Sequence, residues 1–175
     1  MTWMDIVDSA IKIGLGALIA GSVSLFTLRM THRNEREKEF RAHRIKTIEI
    51  VAGYVDEFFN AHLHLISKIA WYVDLHGGNA TPVTDEMEES MRKPDQELLS
   101  ASDGLRIARS RLRLLGADSC VRELRHAANL VMEFRNKCAS DREIPSAARV
   151  ESHRQEVDQY KERAYAELHA TYEKC

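Results

Sequence analysis

A chain of 175 residues has room for one anchor and one domain of ordinary size, but not comfortably for two domains. Its 25 Lys and Arg against 27 Asp and Glu leave a formal net charge of -2, which gives no bulk-charge sign of a nucleic-acid binder; 44% apolar residues exclude a disordered acidic tail. The three cysteines, Cys120, Cys138 and Cys175, lack metal-ligand spacing and read as small packing residues that stay reduced.

The first element is the uncharged stretch Ile13 to Leu28, whose sixteen residues precede an arginine-rich run. As a helix it rises only about 24 Å against a hydrocarbon core of about 30 Å, so the span is expected to begin nearer Ser9, with Lys12 reaching to the interface. Asp5 and Asp8 stand where a signal peptide would be basic, which argues against a cleaved leader. The cations Arg29, Arg33, Arg36, Lys38, Arg41, Arg44 and Lys46 follow the span, while only Lys12 precedes it. The positive-inside rule therefore predicts a single-pass membrane protein with its N-terminus outside and its C-terminal body in the cytoplasm. Residues 1–30 form the anchor and residues 31–175 the body. Within the span Gly14, Ala17, Gly21 and Ser24 recur every three or four residues, a spacing that lets helix backbones approach and predicts a homo-oligomer. In a ring of subunits Asp5, Asp8 and Lys12 would form a charged outer mouth.

No breaker follows until Gly77-Gly78, so anchor and first body helix read as one rod with Gly53 as its weak point. Ile45, Ile48, Ala52, Val55, Phe59, His62, Ile66, Ile69 and Val73 step by three and four, and Val51, Phe58, Leu65 and Tyr72 widen that stripe. Thr84 is the expected N-cap of a short acidic segment that Pro94 closes, with the main helix restarting at Pro94 or Asp95. Leu98, Ala101, Leu105, Ala108, Leu112 and Leu115 form its stripe, and Gly116 stops it. Asp118 is the expected cap of the next helix, whose inner face is Val121, Leu124, Ala128, Val131, Phe134 and Cys138. A last helix begins at Pro145, with Val150, Val157, Tyr160, Ala164, Leu168 and Thr171 inward. All three prolines thus read as helix boundaries. Without alternating strand patterns, the fold expected is all-α: one transmembrane helix followed by an antiparallel bundle of about four helices.

The tightest charge cluster is Arg106, Arg109, Arg111 and Arg113, followed by Arg122 and Arg125, a candidate phosphate-binding face whose competing reading is a solvated helix face. No aromatic run interleaves it. His-Glu-x-x-His and glycine-rich phosphate loops are absent, so neither metal nor cofactor is expected. His62, inside an apolar stripe, reads as a core or interface histidine.

Arg163 and His169 are spaced Arg-x5-His, and Arg36 and His43 are spaced Arg-x6-His. This spacing on a helical bundle is similar to the HEPN ribonuclease signature, in which paired motifs act on a ribose 2'-hydroxyl; Ala164 departs from the polar residue that usually follows the arginine. One N-terminal span leading into such a body resembles the small membrane-pore accessory proteins that accompany RNA-guided, RNA-targeting CRISPR effectors. The resemblance covers all 175 residues as architecture and implies an oligomeric, non-enzymatic pore that perturbs the membrane in antiviral defence. The alternative from the residues is a membrane-tethered adaptor that binds a cytoplasmic protein or RNA, with no DNA partner expected.

Overall fold

In the computed structural model the backbone of residues 3–174 is described, as are the side chains of residues 30–31 and 35–174. Four helices carry the chain: α1 (Trp3–Leu75), α2 (Asp85–Leu114), α3 (Asp118–Asp141) and α4 (Ala147–Glu173). Two compact units divide it, Met1–His43 and Arg44–Cys175. The first is helical, and its side chains from Glu35 to His43 are exposed. Among the described residues no helix is long and apolar enough to cross a membrane. The expected span Ile13 to Leu28 lies outside the residues whose side chains are described, as do Asp5, Asp8, Lys12, Gly14, Ala17, Gly21 and Ser24.

The second unit is a helical bundle, and its side-chain bonds give the topology. His64 meets Glu97 and Tyr72 meets Ser90 between α1 and α2; Asp95 meets Arg135 and Ser102 meets Met132 between α2 and α3. Ser119 meets Glu167 and Phe134 meets His153 between α3 and α4, while Asp56 meets Tyr165 and His62 meets His153 between α1 and α4. In every pair of helices one number rises as the other falls. Each helix is therefore antiparallel to two neighbours, and the fourth closes on the first, as in an up-down-up-down bundle. The enclosed core contains Val51, Val55, Phe58, Leu98, Leu105, Leu112, Leu124, Val131 and Val157, all of them from the stripes read in the sequence.

The turns follow from glycine. Gly77 and Gly116 have φ of 70° and 74°, which a Cβ disfavours. Beyond them Gly78 N–H donates to Val73 C=O at 2.8 Å and Ala117 N–H to Leu112 C=O at 2.9 Å, satisfying carbonyls that α1 and α2 leave open at their ends. Gly104 serves close approach instead: a Cβ there would come within 2.8 Å of the Tyr54 ring across the α1–α2 contact.

Three expectations need correction. Pro94 does not divide α2, which runs unbroken from Asp85 to Leu114. Met87, Pro94 and Leu98 are all buried on one face, and packing on both sides of the proline offsets its lost hydrogen bond and ring clash, about 3 kcal/mol. Asp118 is not a cap: Ala117 holds that position without a side-chain bond, and Asp118 lies in the first turn, where the helix dipole favours an acid. The bundle also contains one short antiparallel pairing, β1 (Thr81–Pro82) with β2 (Glu143–Ile144), which ties the α1–α2 loop to the α3–α4 loop. Two residues per strand are too few to leave an alternating pattern. Thr84 caps α2 as expected, its hydroxyl accepting from Met87 N–H.

Candidate functional site

On α2 the positions 106, 109 and 113 fall three and four apart, so their side chains share one face. The α2–α3 turn then brings Arg125 of α3 beside them. Arg109 is half-buried, and its guanidinium pKa is lowered, first by that burial and then by Arg125, Arg113 and Arg106 in turn. Four cations thus converge across two helices. Arg106 has one acidic neighbour, Asp103 at 3.2 Å, with both side chains about three-quarters exposed. Among the described residues no side-chain ion pair or side-chain hydrogen bond engages Arg109, Arg113 or Arg125. Arg135 shows the contrast: it binds Asp95 through two hydrogen bonds of 2.5 and 2.7 Å, which raise its pKa. Arg111 points elsewhere, over the Tyr54 ring at 5.9 Å. An arginine cannot discharge at physiological pH, so four of them held together without enough acid concentrate positive charge on this face.

The ridge of α3 continues this surface. Arg122, Arg125, His126 and Asn129 are exposed, and from Ser119 to Met132 the one acid is Glu123, 18% exposed, with Arg122 at 3.9 Å. His126 stacks on Tyr160 of α4, centroids 5.5 Å apart and planes 28° apart, and Arg163 lies 5.4 Å over the Tyr160 ring.

Arg163 and His169, the expected Arg-x5-His pair, take separate partners. Arg163 reaches back to Tyr160, while His169 reaches forward to Glu173 at 3.3 Å. Both are exposed on α4, and Ala164 between them is buried in the core. Arg36 and His43 are exposed in the other unit.

His62 is buried as expected, but its partner was not foreseen. Its Nε2 lies 3.1 Å from Nε2 of His153, which is equally buried and stacked face to face on Phe134, centroids 4.0 Å apart. Burial pushes both imidazoles down. His62 falls to about 3, with His153, Arg154 and Lys161 adding to the effect of burial; His153 falls to about 4. Both are neutral at pH 7, so one N–H can donate to the other ring. The sequence held a signal for His153: it fills the gap between Val150 and Val157 in the α4 stripe.

A cavity of about 510 Å³ opens near the β1–β2 pairing. Leu65, Ile69, Met91 and Ile144 give it an apolar floor, and Asp95, Arg135, Arg142 and Glu88 give it charged walls already paired with one another. Cys138 lines it with its thiol pushed up to about 11, and Cys120 is pushed to about 12, chiefly by burial; neither is a thiolate at pH 7. Among the described residues no three His, Cys, Asp or Glu side chains gather as metal ligands. No family model, no curated protein and no solved structure matches the chain.

Proposed function

We propose that the chain is a membrane-tethered docking module whose helical bundle holds a polyanionic partner on the face built by Arg106, Arg109, Arg113 and Arg125. The observation that carries this reading is the gathering of Arg106, Arg113 and Arg125 about Arg109, with Asp103 pairing Arg106 alone. Like charges three and four apart on a helix cost about 0.2–0.5 kcal/mol per pair, so an arrangement that keeps them unopposed sacrifices stability for an outside partner. The tether is Ile13 to Leu28, in this reading a bacterial inner-membrane span, and the cations after it support a cytoplasmic bundle. The test is co-flotation. Full-length protein in vesicles of neutral lipid should carry a soluble polyanion to the top of a gradient at low salt, and Arg109→Gln with Arg125→Gln should leave the polyanion behind. Co-flotation that the double variant leaves unchanged would end this reading.

A second reading rests on the spacing of Gly14, Ala17, Gly21 and Ser24: the spans associate into a ring, and the ring is a pore used in antiviral defence. A lone helix cannot enclose water, so this reading requires many subunits. The mass of the detergent-extracted protein tests it. A defined high-order oligomer that Gly14→Leu and Gly21→Leu weaken would support the pore, and a monomer would remove it.

A further inference from the structure

The arginine face does not end at Arg125. On the next residue of α3 a stacked histidine begins, and its ring leads to a tyrosine and a further arginine on α4. From this juxtaposition we infer that the polyanion is single-stranded RNA, with its phosphates along Arg106, Arg109, Arg113 and Arg125 and a base stacked on His126. The inference rests on the docking reading above and adds a ligand class to it.

The chemistry has three parts. Guanidinium groups match phosphate oxygens with paired N–H donors and cannot lose their charge, which suits a backbone track. Successive positions on α2 rise by about 4.5 and 6 Å, a spread over which an extended strand presents more than one phosphate. An acidic protein segment could satisfy this part alone.

The second part is what separates RNA from such a segment. His126 is exposed, and the ring on its inner side is Tyr160, which Arg163 in turn covers. The stack is therefore built before any ligand arrives, and His126, next to Arg125 in the chain, keeps part of its ring exposed to solvent. Bases have faces that stack on such a surface, whereas Asp and Glu side chains do not. Splayed, unpaired bases are needed for this, so the strand is single.

The third part concerns the sugar. Asn129 lies one turn beyond Arg125 and His126 on the same exposed ridge, and its amide both donates and accepts. That is the pairing a ribose 2'-hydroxyl requires and a deoxyribose lacks.

The experiment uses the full chain in detergent and fluorescence anisotropy of a labelled single-stranded RNA of mixed sequence. A single-stranded DNA of the same length and a labelled polyglutamate serve as competitors, and retention of the protein on immobilised heparin is measured in parallel. RNA should bind more tightly than DNA or polyglutamate. Arg109→Gln with Arg125→Gln should weaken RNA binding at least about tenfold and flatten its salt slope by about 1.4, the value for two phosphate contacts on a single strand. His126→Ala should weaken RNA binding about fivefold, the low end of the loss of one stacked base, leave heparin retention unchanged, and be rescued by His126→Phe. Because His126 is exposed, that change leaves the fold intact. RNA affinity indifferent to His126→Ala, with heparin retention still lost in the arginine variant, would overturn the RNA assignment and leave the docking reading standing. Polyglutamate or DNA binding as tightly as RNA would overturn it too. Heparin retention that survives the arginine change would remove both.

Discussion

Two seams of the bundle treat polar groups in opposite ways. Between α1 and α4 the pair His62 and His153 is buried, hydrogen-bonded and held neutral. Between α2 and α3 four permanently charged arginines gather near the surface with one carboxylate for company. Burying an ionised group costs several kcal/mol unless it is paired, so a folding core accepts titratable residues only in their neutral form. A surface seam has no such restriction. Charges that the fold crowds there without enough acid cost stability, and this is the ground for assigning them to a ligand.

The largest effect should come from the inner seam. His153→Ala removes a buried ring, its stack on Phe134 and the partner of His62, and should lower the unfolding free energy by about 2–4 kcal/mol in a urea titration. A loss under about 1 kcal/mol would mean that the histidine layer is not packed as described.

Next in size is the pH response. The folded pKa values, about 3 and about 4, lie below the ordinary 6.5, so below pH 6.5 the unfolded chain binds protons that the folded one refuses. The stability this pair permits is complete above about pH 6.5 and is lost as pH falls towards 4, by up to about 1.4 kcal/mol per pH unit for each histidine. Urea midpoints recorded from pH 7 down to pH 4.5 should fall steeply in the wild type and less so in His62→Phe. Parallel curves would assign the acid sensitivity to other groups.

The outer seam should respond with the opposite sign. Arg109→Gln relieves like-charge repulsion and should raise stability by about 0.5 kcal/mol, while weakening retention on a polyanion. A destabilisation larger than about 1 kcal/mol would show that Arg109 has a structural role. Smallest of all is Arg92→Ala, at an exposed ion pair with Glu89 of 2.9 Å, which should shift the urea midpoint by less than the equivalent of about 0.5 kcal/mol.

Much of the bundle was legible because burial follows period. The stripes on α2 and α4 are buried at Leu98, Ala101, Leu105, Ala108 and Leu112, and at Val150, Val157, Ala164 and Leu168. Pro94 misled because local chemistry alone ends a helix there, whereas tertiary packing carries it through. The arginines were visible as a cluster of one residue type, but their convergence was not: Arg125 reaches Arg109 only once α3 folds back at Gly116. For the same reason Tyr160 could not be joined to His126, nor His153 to His62, since neither pair is near in sequence. The Arg163 and His169 spacing was legible, but not the separate neighbours the two side chains take, Tyr160 and Glu173.

The most direct measurement compares two double variants of the full-length protein that lose the same charge, Arg109→Gln with Arg125→Gln and Lys93→Gln with Lys137→Gln, by the salt concentration at which each elutes from immobilised heparin. The four residues differ in setting: the arginines converge, while both lysines are exposed away from that cluster. If the α2–α3 seam is the docking face, the arginine variant elutes at clearly lower salt than the wild type and the lysine variant close to it. Equal shifts in the two variants would show that retention follows total charge, and the seam would then have no claim to a partner.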